Sequence, residues 1–273
     1  MSDAAEYPPA SQRRFVLPEQ WSSYALALLA HVAVVVAWWA VTALEMVPSY
    51  IMPSPGDTLA TLADPGYQWL NNMAVTATEI FVGYGLAIAG GVLFAMLFTW
   101  FRLLRAALFP LFVTISMIPK VALGPLLVVW FGYGMGTNTF FAFIIAFFPI
   151  LITTARGLRE VEPDLLDLVR ALKGTRWQIF RKIQLPGALP YIFSAMKVGA
   201  ILSVAGAIVG EFVASSKGLG YLMIQVQSTL DTAAMFMSVL LLSLLGVSLF
   251  GFVLLLERLF VVKDARLDSA GPA

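Results

Sequence analysis

Long apolar runs separated by short polar segments make up most of the chain. A helix needs roughly 20 residues to cross about 30 Å of hydrocarbon, and six runs are of about that length. The third run contains Pro110, Pro119 and Pro125, so it is predicted to be broken or kinked rather than straight. The pattern therefore predicts an all-α integral membrane protein with six transmembrane helices. The runs cover about residues 24–46, 79–100, 108–131, 139–154, 191–213 and 233–262.

One polar segment, residues 160–190 between spans 4 and 5, is much longer than the others and predicts a helical hairpin. Its first helix carries apolar residues at i, i+3, i+4 and i+7, which is one face of a helix. The second helix carries Trp177, Phe180 and Ile183 on one face, and Gly174 is the predicted hinge. Pro186 and Pro190 are predicted to end the second helix and to begin span 5. The face of the first helix consists of Leu165, Leu168, Val169 and Leu172.

Composition supports the membrane assignment and excludes several kinds of chemistry. The chain of 273 residues is 60% hydrophobic and 12% charged, with a mean hydropathy of +0.86, whereas soluble domains carry about 25% charged residues. It has no Cys and a single His, His31, so thiolate catalysis, a His-based metal site and a Ser–His–Asp triad are not expected. A net charge of +1 gives no reason to expect nucleic-acid binding. No catalytic, metal or cofactor site is predicted on this chain.

Loop charge predicts the orientation. Basic residues concentrate before span 1, between spans 2 and 3, between spans 4 and 5, and after span 6, while the opposite loops contain only Lys217. By the positive-inside rule, both termini and the hairpin are predicted to be cytoplasmic. Residues 1–20 and 263–273 are then cytoplasmic tails, and residues 21–262 form a six-span domain. The basic residues concerned are Arg13, Arg14, Arg102, Arg105, Arg156, Arg159, Arg170, Lys173, Arg176, Arg181, Lys182, Arg258, Lys263 and Arg266.

A few ionisable residues fall within or at the ends of the spans, where a charge costs about 2.5–3.5 kcal/mol on insertion scales. Lys120 either lines a pathway and attracts an anion, or caps carbonyl groups that the prolines of span 3 leave free. Glu211, at the end of span 5, is a candidate for an outer gate or a contact with a partner protein. Lys197 is predicted to extend to the cytoplasmic surface, and Glu79 is predicted to be interfacial at the start of span 2.

The hairpin resembles the conserved cytoplasmic loop of binding-protein-dependent ABC importer permeases. The pattern of that loop is Glu-Ala-Ala, three residues, Gly, nine residues, Ile, one residue, Leu-Pro. The chain keeps this spacing but has different residues at several of the conserved positions. Ile183, Leu185 and Pro186 match, Asp167 stands at the glutamate, Leu168 and Val169 stand at the alanines, and Lys173 stands at the glycine with Gly174 one residue later.

Further segments are similar to permeases of the nitrate, sulfonate and taurine type, a group that also includes transporters of pyrimidine precursors and aromatic acids. The resemblance covers about residues 45–262. These segments are PSP at 53–55, ALGPLLVVWFGYGMG at 122–136, LPGALPYI at 185–192 and KGLGYLM at 217–223.

The resemblance implies a permease subunit of an ATP-driven importer in the bacterial cytoplasmic (inner) membrane, and not an enzyme. The expected partners are a second copy of the chain, two cytoplasmic ATPases that hold ATP and Mg²⁺, a periplasmic or extracellular solute-binding protein, and membrane lipid. The solute is expected to be a small organic or inorganic anion or a pyrimidine-like compound. The first hairpin helix is expected to dock on the ATPase. The candidate coupling residues are Leu165, Asp167, Leu168, Val169, Leu172, Lys173, Gly174, Ile183, Leu185 and Pro186.

Other interpretations remain open at this point. The hairpin could pack only on its own membrane domain, or lie on anionic lipid through Arg176, Arg181 and Lys182. The chain could also be a stand-alone secondary transporter or channel, although no internal repeat or ion-coupling carboxylate is evident. A membrane enzyme would need converging acid, base, metal or nucleophile residues, which the sequence does not offer. No phosphate-binding Gly-x-x-x-x-Gly-Lys-Ser/Thr loop is present, so ATP hydrolysis is expected on a partner.

Overall fold

A computed structural model describes residues 19–161 and 163–261, and this part of the chain consists of helices and turns without a β-strand. Five helices are long and apolar enough to cross a membrane, and a bent pair of helices makes a sixth candidate. The all-α membrane architecture is therefore confirmed, while the count of six spans stays a prediction. The predicted tails, residues 1–20 and 263–273, lie outside the described residues apart from Glu19 and Gln20.

The helices follow one another with few residues between them. They are α1 Glu19–Ala43, α2 Pro55–Ala60, α3 Trp69–Trp100, α4 Arg102–Ser116, α5 Gly124–Phe131, α6 Met135–Gly157, α7 Pro163–Ala171, α8 Arg176–Ile179, α9 Leu185–Ala214, α10 Leu219–Gln227 and α11 Thr232–Phe260. The chain divides into two compact units, residues 1–57 and 58–273.

In the described part of the first unit, α1 is followed by a proline-containing stretch that folds back on it. The indole Nε1 of Trp38 donates a hydrogen bond to the carbonyl oxygen of Pro53 at 2.9 Å. Ser54 then caps α2, because its hydroxyl accepts a hydrogen bond from the backbone N–H of Asp57 at 3.1 Å. The turns of this non-helical stretch are thus stabilised by side-chain contacts within the unit.

The second unit is built around α6, which packs between α3 and α9. A Cβ atom added to Gly83 of α3 would lie 2.6 Å from the Cβ of Ala142, and one added to Gly206 of α9 would lie 2.8 Å from the Cα of the same residue. The two helices therefore both approach α6 closely at Ala142, which is fully buried. Small residues at helix contacts are the usual means of close packing in membranes.

The predicted break in span 3 is present. Helix α4 ends at Ser116, a 3₁₀ turn covers Lys120–Leu123, and α5 begins at Gly124. The two parts are bent by 88°. Pro119 has an extended conformation, with ψ of 103°, which a helix cannot contain. Pro110, in contrast, lies inside α4 without ending it.

Two predictions of helix boundaries were wrong. Helix α3 begins at Trp69 rather than near Glu79, because its polar first turns are satisfied by other parts of the fold. Before it, α2 is followed by two 3₁₀ turns, Thr61–Ala63 and Pro65–Tyr67. Pro186 and Pro190 do not separate two helices: Pro186 lies in the first turn of α9, where it lacks no bond, and Pro190 lies inside α9.

Candidate coupling site

The first arm of the hairpin is α7, Pro163–Ala171, and its apolar face is uncovered. Leu165, Leu168 and Leu172 expose 39%, 56% and 74% of their surface. They recur at the helical spacing that the periodicity predicted, and Leu168 and Leu172 are more than half exposed in the described part of the chain. Asp167 is exposed beside this face, and Val169 is half-buried behind it. An apolar helical face of this kind is typical of a docking surface.

The turn that ends α7 needs a left-handed backbone at one residue and the absence of a side chain at the next. Lys173 has a φ of 55°, in the left-handed region. Gly174 donates a backbone hydrogen bond to the carbonyl oxygen of Val169 at 2.8 Å, and a Cβ at Gly174 would lie 2.4 Å from Val169 Cγ1. These are the contacts of a Schellman motif, in which the left-handed position is usually glycine. Position 173, which the resemblance aligned with the glycine of the family, is therefore the left-handed position.

The second arm is fixed at its start by a capping box. The hydroxyl of Thr175 accepts a hydrogen bond from the N–H of Gln178 at 3.2 Å, and the Gln178 side chain accepts one from the N–H of Thr175 at 2.8 Å. Helix α8 then continues through a π-helical turn, Phe180–Gln184, directly into α9. Ile183 and Leu185 are half-buried in this junction, and Pro186 is exposed.

Aromatic contacts attach this second arm to the end of α3. The rings of Trp177 and Phe180 lie 5.9 Å and 5.4 Å from that of Trp100, the last residue of α3. Phe180 is buried, with 6% of its surface exposed. A cleft of about 310 Å³ separates the two arms at this end and is lined by Leu166 of α7, among others. The second arm is thus packed on the membrane domain, whereas the apolar face of α7 is free.

Lys120 is engaged in local contacts. Its Nζ donates a hydrogen bond to the carbonyl oxygen of Ser116, the last residue of α4. The same atom lies 5.3 Å from the centre of the Phe148 ring, within the range of a cation–π contact. These are the contacts expected if the amine caps a carbonyl that the helix break leaves free. A role of Lys120 in the solute pathway stays a prediction.

Glu211 lies in a buried polar cluster rather than on a surface, with 1% of its area exposed. It accepts hydrogen bonds from the Thr76 hydroxyl and from the backbone N–H of Gly220, both at 2.5 Å, and a longer one from Tyr221 at 3.4 Å. Gly220 and Tyr221 belong to the first turn of α10, so Glu211 caps that helix from α9. Its predicted role at an outer gate stays a prediction.

The same cluster corrects the placement of Glu79. This residue was predicted to be interfacial, but it lies inside α3 with none of its surface exposed. Its Oε1 accepts a hydrogen bond from Asn138 of α6 at 2.8 Å. Sequence reasoning missed Asn138, Thr76 and Asn72 as members of the cluster. The only indication in the sequence was that these polar residues occur among the apolar residues of long helices.

The prediction that Lys197 extends to the cytoplasmic surface was also wrong. Instead of extending to the surface, its Nζ lies 3.0 Å from Oε2 of Glu257 on α11, and both residues are buried. The pair connects α9 to the last turns of α11. Within residues 19–161 and 163–261, no three His, Cys, Asp or Glu side chains come together as a metal site would need.

The long apolar helices, the broken span and the polar hairpin define an integral membrane permease. Residues 87–262 match the family described as binding-protein-dependent transport system inner membrane component. The chain belongs to this family, and it is the permease subunit of an ABC importer. The interpretations as a stand-alone transporter, channel or membrane enzyme are thereby set aside.

Curated relatives agree with this assignment and differ in their named solutes. The riboflavin transport system permease protein RibX of Chloroflexus aurantiacus is 33% identical over 93% of this chain and 94% of its own length. The formylaminopyrimidine transport permease protein ThiX of Halalkalibacterium halodurans is 29% identical over 82% of this chain and 90% of its own. The putative aliphatic sulfonates transport permease protein SsuC of Bacillus subtilis is 25% identical over 85% of this chain and 84% of its own.

Among solved structures, a chain of the MetNI methionine ABC transporter in an inward-facing conformation has a TM-score of 0.63 to this chain. It is 22% identical and covers 73% of this chain and 100% of its own. At this level of identity the likeness concerns the fold alone.

Proposed function

We propose that this permease docks on a cytoplasmic ATPase through α7 and passes the motion of that ATPase to its membrane helices. The carrying observation is the contrast between the two arms of the hairpin. The apolar face of α7 leaves Leu168 and Leu172 more than half exposed, while the second arm is attached to Trp100 of α3 through Phe180, which is 6% exposed. If both arms were packed on the membrane domain, no apolar surface of the hairpin would remain for an ATPase to bind.

The proposed mechanism is rigid-body coupling. Two ATPases that close around ATP and Mg²⁺ move the docked α7 helices, and the second arm transmits this displacement because it runs through the π-helical turn into α9 without a break. The turn at Lys173 and Gly174 fixes the angle between the two arms. ATP and Mg²⁺ bind on the partner, and this chain supplies the docking surface and the pathway.

The assembly is proposed to contain two copies of this chain, two ATPases and a solute-binding protein outside the membrane. One chain carries one docking helix, so two ATPases need two chains. Both termini and the hairpin are proposed to face the cytoplasm of a bacterial cell, because the basic residues lie on that set of loops.

The proposed solute is a pyrimidine-like or larger heteroaromatic compound. The support is that RibX and ThiX, which are named for riboflavin and formylaminopyrimidine transport, are 33% and 29% identical to this chain, whereas the sulfonate permease SsuC is 25% identical. A small anion such as a sulfonate is the second candidate, supported by the SsuC relative. Uptake of a formylaminopyrimidine and of an aliphatic sulfonate, measured side by side with the cognate binding protein, distinguishes the two.

The docking proposal is tested with single cysteines, since the chain has none. Leu168→Cys on α7 and Leu103→Cys on α4 are expressed separately in the native host and treated with a thiol crosslinker that also reacts with amines. Leu103 is 85% exposed, more than Leu168, and lies on the set of loops assigned to the same side of the membrane, so it controls for accessibility.

We expect Leu168→Cys to capture a protein that contains a Gly-x-x-x-x-Gly-Lys-Ser/Thr loop and hydrolyses ATP, and Leu103→Cys to capture little of it. Mass spectrometry of the crosslinked peptide identifies the partner and the contact site. If both positions captured the ATPase equally, or if Leu168→Cys captured none, α7 would not be the docking helix.

A further inference from the structure

The buried cluster between α3, α6 and α9 contains two oxygen atoms without a hydrogen-bond partner. These are Oε2 of Glu79 and Oδ1 of Asn138, and both residues are fully buried. A buried polar atom without a hydrogen-bond partner is destabilising, and more so if it carries charge. Such atoms are rare enough in folded proteins that each one calls for a missing donor or ligand.

The contacts around these atoms bring Glu79 and Glu211 together. Thr76, one helical turn before Glu79 on α3, donates to Oε1 of Glu211. From the other side, Asn138 donates to Oε1 of Glu79 and packs on Gly210, the neighbour of Glu211 on α9. The side chains of Glu79 and Glu211 are therefore neighbours, since Thr76 and Asn138 connect the two residues from two sides.

The hydrogen-bond donors around the pair are distributed unequally. Both oxygens of Glu211 already accept hydrogen bonds, from Thr76 on one and from the N–H groups of Gly220 and Tyr221 on the other. The first turn of α10 adds the positive end of its dipole. Glu79 has one accepting oxygen and one without a donor. The surroundings of Glu211 therefore suit an ionised carboxylate. Those of Glu79 suit a protonated carboxyl group, whose hydrogen atom would lie on the oxygen that accepts no hydrogen bond.

We propose that Glu79 and Glu211 bind one proton between them, carried on Oε2 of Glu79 and donated to Glu211, and that this pair latches the start of α10 to α3 and α9. Two carboxylates side by side in the protein interior repel strongly, and one shared proton removes that repulsion. The proton also supplies the donor that Oε2 of Glu79 lacks.

No other charge in the described part of the chain replaces the proton. On the elements packed against the pair, Lys197 of α9 is paired with Glu257 of α11, and Arg156 of α6 is paired with Glu160. Tyr84 of α3 donates its hydroxyl hydrogen to the carbonyl of Met196. Helix α10 contains no charged residue, and Lys217 before it is exposed.

The latch consists of consecutive N–H groups held by side chains of other helices. Gly218 donates to Asn72 at 2.9 Å and Leu219 donates to Thr76 at 2.8 Å, followed by Gly220 and Tyr221 on Glu211. The cluster lies at the opposite end of α3 from the hairpin, since Glu79 and Trp100 are separated by about 31 Å along the helix axis. The proton site does not depend on ATPase docking.

The proton is tested by infrared spectroscopy of the purified protein at neutral pH. We expect a carbonyl band of a protonated carboxyl group that shifts in D₂O, is present in the wild type and is absent in Glu79→Gln. Glu79→Gln keeps a donor toward Glu211 and is expected to fold normally. Absence of the band from the wild type, or its persistence in Glu79→Gln, would overturn the proposal. Stabilisation of the wild type by Na⁺ together with absence of the band would indicate a bound cation instead.

The latch is tested separately by labelling a cysteine placed at Leu219, which is fully buried at the start of α10. In this background Glu79→Gln should label as slowly as the parent, whereas Glu211→Gln should label about tenfold or more faster, because it loses hydrogen bonds to a charged group worth about 1.5–3 kcal/mol each. Equal labelling in Glu211→Gln and the parent would show that Glu211 does not hold α10.

Discussion

At the scale of single residues, the turn between the hairpin arms shows how a departure from a family pattern is accommodated. Lys173 adopts a left-handed backbone conformation, which costs an L-residue with a Cβ roughly 1–2 kcal/mol. Gly174 follows it with a backbone that no side chain would fit, because its neighbour is Val169 at 2.4 Å from a would-be Cβ. A sequence with glycine at position 173 and another residue at position 174 would relieve the strain at 173, but the Cβ at 174 would collide with Val169.

This division of roles predicts opposite effects at adjacent positions. Lys173→Gly should stabilise the turn by about 1 kcal/mol, because it removes the strain of the left-handed conformation. Gly174→Ala should loosen the end of α7, because its Cβ would collide with Val169. Hydrogen exchange at the amide of residue 174, which donates to the Val169 carbonyl, measures both: exchange should slow in the first variant and accelerate in the second. The same direction of change in both would contradict this account.

Other residues show where sequence reasoning reached its limit. The exposed face of α7 was predictable, because periodicity depends only on the residues of one helix. The pairing of Lys197 with Glu257 was not, since the two residues are 60 positions apart and only the packing of α9 on α11 brings them together. Glu79 was misplaced for the same reason: its partners Asn138 and Glu211 come from two other helices.

At the scale of helices, close packing depends on a few glycines whose positions the sequence alone could not rank. Helix α3 contains several glycines, and they are not equivalent. Gly83 lies against Ala142 and the carbonyl oxygen of Thr139, each 2.6 Å from a would-be Cβ, whereas Gly85 has nothing within 4 Å. Gly83 therefore supports the contact between α3 and α6, as does Gly91, whose added Cβ would lie 2.8 Å from Ile150 Cγ2, whereas Gly85 does not.

Alanine at these two positions should therefore have different effects. Gly83→Ala should destabilise the protein by about 1–3 kcal/mol, because the added methyl group overpacks the contact and α6 must shift. Gly85→Ala should be neutral or stabilising by up to about 1 kcal/mol, since alanine is the better helix former at an open position. The midpoint of unfolding in detergent with increasing SDS measures both. Equal losses in the two variants would mean that the contact at Ala142 is not the cause.

The start of α3 shows why helix boundaries could not be predicted from hydropathy alone. The predicted span 2 began where polar residues gave way to apolar ones, but α3 extends ten residues further, through Asn72 and Thr76. These side chains are tolerated inside a long helix because they accept hydrogen bonds from Gly218 and Leu219. A hydropathy pattern records the polarity of a residue and not whether a distant segment satisfies it.

At the scale of the whole subunit, the class of protein followed from the order of spans and hairpin, whereas the solute did not. Nothing in the described helices identifies a solute, and in binding-protein-dependent importers much of that information lies on another chain. The subunit does contain one continuous helix along which the proposed coupling motion would pass. Helix α9 begins at the hairpin and runs for 30 residues to Glu211 and Ala214, about 45 Å of continuous helix.

This continuity predicts that a break in α9 separates ATP hydrolysis from transport. Ala205 is exposed in the middle of α9, so Ala205→Pro removes a helical hydrogen bond and kinks the helix at a cost of about 3 kcal/mol without removing a buried side chain. Ala205→Leu is the control, because it keeps the helix and adds only exposed apolar surface. In proteoliposomes with ATPase and binding protein, Ala205→Pro should keep ATP hydrolysis and lose most solute uptake, while Ala205→Leu should keep both. Uptake at the wild-type level in Ala205→Pro would mean that motion reaches the pathway by a route other than α9, whereas loss of ATP hydrolysis as well would mean that the straight helix is needed to assemble the docked complex.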